Sequence, residues 1–276
     1  MSSTRPQSPA PHPGPSGPPA SSLVRSALLP VPHGFSTRLG GVSQGAFESL
    51  NLGLAVGDER AHVEENYRRL AALAGAPLAA LHRVSQVHGD RVIRVHAPSG
   101  APTATPPPTE GEADGLWTDT PGQWVGVSTA DCVPILLVDP EGRRVAAVHS
   151  GWRGTEANIV GRAVEALAAQ GSAPSRLLAA VGPCIQACCY EVSPELGERF
   201  RARFGPGVVD VDGAGRRVRL DLSRAVRQSL RDAGLGEGQV DVLPDCTACD
   251  AHRFFSHRRD AGRSGRHLSF AVHAFG

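Results

Sequence analysis

The clearest pattern in the chain is a pair of apolar runs, residues 133–138 and 145–148, separated by the turn-forming Pro140-Glu141-Gly142. Runs of this length between turn residues predict two strands, and the short connection predicts an antiparallel hairpin. A hairpin brings its open ends together, so Cys132 and His149, just outside the two strands, are expected to be neighbours. Further strands are predicted over 31–35, 91–95, 124–127, 177–181, 240–243 and 268–272. Residues 62–73 carry Val63, Tyr67, Leu70 and Leu73 at helical spacing, with acidic residues early and arginines later, which suits the helix dipole. Ile159, Val160, Ala163 and Leu167 predict a helix over 156–169 with Thr155 as its N-cap, and 194–204 and 222–230 also read as helical. Hairpins interleaved with helices point to one α+β or layered α/β domain with mixed sheets, rather than a doubly wound parallel sheet.

Composition narrows the partners. The 276 residues are 41% hydrophobic and 20% charged, enough for a substantial core. A formal net charge of +1 provides no global field for nucleic acid or an anionic membrane, and 5% aromatic content argues against a stacking platform for single strands. No apolar run is long enough to span a bilayer. Residues 1–22 are rich in Pro, Ser and Gly and predict a disordered tail, leaving 23–276 as the domain. That tail lacks the apolar stretch of a signal peptide, so a cytoplasmic protein is expected, as a monomer or homodimer. Residues 98–110 read as a Pro/Thr-rich loop.

The six cysteines do not form the framework of a small secreted domain. Cys188 and Cys189 are vicinal and could not both point the same way on a strand. Cys246-Thr247-Ala248-Cys249 is a lone C-x-x-C without a second pair at zinc-ribbon spacing. These thiols read as buried or incidental.

The chemistry concentrates in three segments: Gln86-Val87-His88-Gly89, Ala130-Asp131-Cys132-Val133-Pro134 and His149-Ser150-Gly151-Trp152-Arg153-Gly154. Two imidazoles and a thiolate from His88, Cys132 and His149 suit Zn²⁺, and three protein ligands leave a fourth position for water or substrate. Asp90 is a candidate to fix the tautomer of His88. A thiolate beside the carboxylate of Asp131 is electrostatically poor unless a cation is present, and Asp131 is the candidate proton carrier. Arg153 offers a fork for phosphate or carboxylate at the start of the predicted helix. Ser36-Thr37-Arg38-Leu39-Gly40-Gly41 is a second anion-binding type of turn. The polar cluster from Phe255 to Arg266 reads equally well as a solvated charged face.

Taken together, Gly34-Phe35-Ser36-Thr37-Arg38, Ser49-Leu50-Asn51-Leu52-Gly53, Ala113-Asp114-Gly115, Gly182-Pro183-Cys184-Ile185, Tyr190-Glu191-Val192 and the three segments above resemble the laccase-domain family. Its members were long called polyphenol oxidases and are now described as purine nucleoside phosphorylases. The resemblance runs from about residue 31 to 270. It implies an α/β fold and a zinc held at the positions of His88, Cys132 and His149. It also implies phosphorolysis of adenosine, inosine, guanosine and methylthioadenosine, with deamination of adenosine, so purine nucleosides and phosphate are the expected partners. By resemblance, Arg38 contacts phosphate, Arg153 shares that task or positions the ribose, and Ser36, Asn51 and Cys184 join the substrate site. The chain departs from the pattern at His257, where an aromatic residue is more usual.

Three rival readings stay open. A copper-dependent polyphenol oxidase would use the same donors, but the chain has no His-x-His, and its only methionine is Met1, so the axial ligand of a blue-copper centre is lacking. A cysteine-nucleophile hydrolase of cell-wall peptides would activate Cys132 with His149 or His88. A non-catalytic metal-binding protein would hold zinc and convert nothing.

Overall fold

The computed structural model describes residues 22–97, 104–213 and 216–275. The tail expected over 1–22 therefore lies outside the described residues except for Ser22, as do residues 98–103 of the Pro/Thr-rich loop.

Two mixed sheets lie face to face between helices. One runs in the order Leu23–Val24, His33–Ser36, His267–Val272, Trp124–Thr129, Leu81–Arg83. The other runs Val240–Val242, Leu178–Val181, Val133–Asp139, Arg144–Ser150, Gly115–Thr118, Val92–Arg94. Its central strands are antiparallel and its two edge pairs parallel.

The near-continuous apolar run of Val133–Asp139 follows from this layering, because both faces of the strand are covered. Ile135 and Leu137 join a core with Ile159, Val164 and Val226 from the helices. Leu136 and Val138 point the other way and meet Val125, Val127 and Ala271 of the facing sheet. On the far side of that sheet, Trp124, Leu268 and Phe270 pack on Val63, Tyr67 and Leu70 of helix Arg60–Ala74. The order of layers is helix, sheet, sheet, helix, a layered α/β domain as the pattern predicts.

The predicted antiparallel hairpin forms, with Val138 paired to Val145 and Pro134 to His149. The helix predicted over 156–169 does not form in one piece. It breaks at Asn158, whose φ of 66° is left-handed, into Trp152–Glu156 and Ile159–Ala168. Asparagine tolerates that backbone better than most residues. Thr155 is consequently not an N-cap. It lies inside the short first helix, with its hydroxyl donating to the Gly151 carbonyl at 3.0 Å. Strands Leu81–Arg83 and Gly115–Thr118, and a small sheet of Glu191–Val192, Val218–Leu220 and Val209–Val211, go beyond the predicted set. At two to four residues they are too short to show a period. No helix among the described residues is long and apolar enough to cross a membrane.

His267 opens the central strand His267–Val272 and is buried between Phe254 and Phe255, with ring centroids 5.7 and 5.2 Å away. Its Nε2 accepts the Phe255 backbone N–H at 2.9 Å. Burial pushes its pKa down to about 3. A free histidine titrates near about 6.5, so between about 6.5 and 3 the unfolded chain binds a proton that the native protein refuses. Stability is therefore full above that window and falls as pH drops through it, by ~1.4 kcal/mol per pH unit for this one group. Buried His33, also shifted down by desolvation, adds in the same direction. Urea unfolding at pH 7, 6 and 5 is expected to show a shallower pH slope for His267→Gln than for the native chain. Equal slopes would rule out His267 as a source of the acid sensitivity.

Candidate metal centre and its cleft

The open end of the hairpin presents Cys132 and His149, and the loop after Leu81–Arg83 brings His88. The ligand atoms of all three lie within 4.8 Å of one another. The two imidazoles meet edge to face with centroids 4.8 Å apart. The neighbour relation that the hairpin implied is met, and the third residue joins it from 44 or more positions away in sequence.

Two glycines make this closeness possible. A Cβ on Gly151 would sit 3.1 Å from Cys132 Sγ and 3.2 Å from His88 Cδ2. One on Gly154 would sit 3.0 Å from the Gly89 carbonyl oxygen, so the short helix packs directly on the His88 loop. Two flanking residues hold left-handed backbone: His88 at φ 62° and Asp131 at φ 87°. Such conformations cost about 1–3 kcal/mol each and gather at functional sites, where the surroundings over-determine them.

Asp114 supplies the over-determination. Its fully buried carboxylate accepts the backbone N–H groups of His88 at 2.9 Å, Gly89 at 2.7 Å and Val87 at 3.2 Å, and bonds His149 Nδ1 at 2.8 Å. Burial alone would raise its pKa, but the bonds from His149 and the Gly89 and His88 amides outweigh it and hold the carboxyl below the usual range. Asp90, expected to orient His88, instead pairs with Arg162 at 3.7 Å near the surface. Gln86 fastens the same loop to the neighbouring strand Trp124–Thr129: its side-chain amide donates to the Ser128 carbonyl at 2.8 Å and accepts the Ser128 N–H at 2.7 Å.

With Nδ1 committed to Asp114, His149 has Nε2 left for ligation. The thiol also suits a cation. Burial opposes its ionisation, yet His149 and His88 overcome that and lower the Cys132 pKa to about 6. Burial likewise disfavours the charged form of His149, but the Cys132 thiolate and Asp114 raise it to about 9. The donor set of two imidazoles and a thiolate fits a borderline-soft divalent ion.

The three side chains line a cleft of about 520 Å³, within the range of about 300–1,000 Å³ usual for small-molecule sites. Residues Leu52 to Ala55, Arg83, Ser128, His257 and Arg266 complete its walls. Arg266 is partly buried, which lowers its pKa, while Cys132 and Asp131 act to raise it. The sequence left the polar cluster that holds Arg266 and His257 evenly balanced between a site and a solvated face, because nothing in their local spacing signals the cleft.

Other expected site residues are engaged elsewhere and do not line this cleft. The Ser36 hydroxyl accepts the Leu268 N–H at 2.9 Å. Arg38 donates to the carbonyls of Glu48 and Ala251 and covers the Phe255 ring. Asn51 accepts the Arg266 N–H at 2.9 Å and bonds Asp58 at 2.8 Å. Cys184 is buried against Gln186. Arg153 is exposed over Trp152. The helix that holds Arg153, Trp152–Glu156, has only five residues. The Asp131 carboxylate accepts Thr247 Oγ1 at 2.6 Å, Ser256 Oγ at 3.0 Å and the Arg258 N–H at 2.7 Å.

Asp114→Asn replaces one acceptor oxygen by a donor that faces backbone N–H groups. Removing such a partner typically costs 10–100-fold in metal affinity. Chelator competition on purified protein is expected to show a loss of about that size, and unchanged affinity would show that Asp114 does not support the ligands.

Comparison with known proteins agrees with this architecture. A family model described as multi-copper polyphenol oxidoreductase laccase matches residues 32–274. A purine nucleoside phosphorylase of Deinococcus radiodurans is 42% identical over 246 residues, covering 88% of this chain and 90% of the relative. The purine nucleoside phosphorylase YfiH of Escherichia coli is 37% identical over 235 residues, covering 85% and 90%. The crystal structure of YlmD from Geobacillus stearothermophilus superposes with a TM-score of 0.81 at 35% identity, covering 92% of this chain and 99% of that one. A match that takes in the hairpin, both sheets and all three ligand segments leaves one assignment: the chain belongs to the polyphenol oxidoreductase laccase family.

Proposed function

We propose that the chain is a zinc-dependent purine nucleoside phosphorylase that also deaminates adenosine. The observation that carries this reading is the gathering of His88, Cys132 and His149 on the wall of a cleft beside a cationic side chain. The names of the relatives support the phosphorylase activity. The expected substrates are adenosine, inosine, guanosine and methylthioadenosine. Copper fits the same donors, but of the eleven histidines only His88 and His149 share a metal-type cluster among the described residues, which favours a single ion at this site over a multi-copper cluster. A cytoplasmic setting accords with the six cysteines all being free thiols. The expected assembly is a monomer or homodimer.

When bound, zinc supplies a Lewis acid that can polarise a substrate oxygen or activate water. The residues of the chain position the reactants. Of the two arginines that line the cleft, Arg83 and Arg266, we assign Arg266 the holding of phosphate for attack on C1′ as the glycosidic bond to the purine nitrogen breaks. Asn51 holds the Arg266 backbone and so takes a positioning role rather than a direct contact with substrate. For deamination, water adds at C6 and ammonia leaves. Asp131 has both carboxylate oxygens engaged, so we assign it the placing of Cys132 instead of the movement of a proton. Arg38 and Arg153 are left to structural bonds and to the surface.

A second reading rests on the same atoms. Cys132, His149 and Asp114 stand in the order of a nucleophile, its base and the orienting carboxylate. A cysteine hydrolase of cell-wall peptides would use that line and would survive removal of metal.

Incubation with adenosine, with and without phosphate, is expected to release adenine only when phosphate is present, and inosine in either case. Cys132→Ala is expected to lose the zinc of this site and turnover together. Activity that persists in zinc-free protein would refute the metal mechanism. Arg266→Gln removes a charge-assisted bond worth about 1.5–3 kcal/mol, so the KM for phosphate should rise by roughly 10- to 100-fold. An unchanged phosphate KM would take Arg266 out of the phosphate site.

A further inference from the structure

The thiols read from the sequence as incidental are gathered in space. Cys188 and Cys189 lie on a turn rather than a strand, which lets both point the same way, and Cys246 and Cys249 come from the C-x-x-C loop. All four sulfurs lie within 4.8 Å of one another. Cys188 Sγ is 3.7 Å from Cys189 Sγ, 3.7 Å from Cys246 Sγ and 3.5 Å from Cys249 Sγ, and Cys189 Sγ is 3.3 Å from Cys249 Sγ. Four sulfurs bound at about 2.3 Å to one tetrahedral ion stand about 3.8 Å apart, close to these separations. A second observation is independent of the sulfur spacing. The backbone N–H groups of Gln186, Cys249 and Ala248 are aimed at Cys246 Sγ, the arrangement that stabilises a thiolate.

We propose that Cys188, Cys189, Cys246 and Cys249 form a second metal site, a closed tetrathiolate that binds one Zn²⁺ and serves structure rather than chemistry. Four protein ligands leave no open position, in contrast to the three at His88, Cys132 and His149. The ion fastens the Cys246 loop to the turn before Glu191–Val192. Arg259 braces that loop from the other side through the carbonyls of Thr247 and Ala248, at 2.8 and 3.4 Å. Thr247 sits between the two cysteines of the loop and donates to Asp131, the residue before Cys132. The second ion therefore holds in place a loop that buttresses the first site.

The test is metal content and spectrum of the full-length chain, purified anaerobically and loaded with Zn²⁺ or Co²⁺. The native protein is expected to bind two equivalents. His88→Ala is expected to keep one, and its Co²⁺ form should show the intense sulfur-to-metal charge transfer of four thiolates. The double variant Cys188→Ser, Cys249→Ser is expected to keep the other, with the weaker band of a single thiolate. Should that variant fail to fold, the His88→Ala spectrum decides alone. A single equivalent in the native protein that vanishes in His88→Ala overturns the proposal. So does a disulfide among the four cysteines found by peptide mapping of the anaerobic protein. Neither result bears on the phosphorylase reading, which stands or falls on the other ion and on nucleoside turnover.

Discussion

One buried carboxylate fixes the geometry of the candidate metal centre. Taking an anion out of water costs several kcal/mol unless it is fully bonded. Asp114 meets that condition only when the His88 loop and the His149 strand both come to it. Three amides of Val87, His88 and Gly89 converge on it, which forces the left-handed turn at His88 and aims that imidazole back at the hairpin. The fourth bond fixes which nitrogen of His149 carries its proton. His88 and His149, two of the three candidate ligands, are thus arranged by a group outside the set.

The double sheet explains why this arrangement is rigid. Cys132 and His149 sit at the end of strands whose side chains are packed on both faces, so neither strand can shift without opening a core. The His88 loop has no strand of that length behind it. It is tied instead by Asp114 on one side and by the paired bonds between Gln86 and Ser128 on the other. Small residues complete the fit, because Gly151 and Gly154 leave room for the sulfur and for the loop carbonyl.

The readable parts of the sequence were those set by local physics. The hairpin was legible because its turn and both apolar runs lie within 16 residues, and with it came the adjacency of Cys132 and His149. His88 was legible by chemistry, since two imidazoles and a thiol suggest an ion even without a spacing rule. The role of Asp114 was not legible, because its partners lie 25 to 35 positions away and the nearer carboxylate of Asp90 looked equally able. Ser36, Arg38 and Asn51 are hard to read for the opposite reason: hydroxyl, guanidinium and amide groups bind ligands and backbone with the same bonds, and in this fold they meet the Leu268 N–H, the Ala251 carbonyl and the Arg266 N–H. Asn158 hid the helix break, since the apolar period on either side of it continues undisturbed. The four clustered thiols were hidden because no spacing links a vicinal pair to a C-x-x-C some 57 residues on.

Asp131 joins the candidate metal centre to the loop of the four-thiol cluster. Its left-handed backbone turns the chain into Cys132, and its carboxylate receives Thr247 from the C-x-x-C loop and Ser256 and Arg258 from the segment that follows. That segment also carries His257 into the cleft. A carboxylate with three donors cannot let one go cheaply, so the loop, the cleft wall and the thiolate ligand move as a unit or not at all. This accounts for an acidic residue beside a thiolate in the sequence: its charge is spent on hydrogen bonds that hold the ligand's backbone, while the imidazoles of His88 and His149 offset the charge on sulfur.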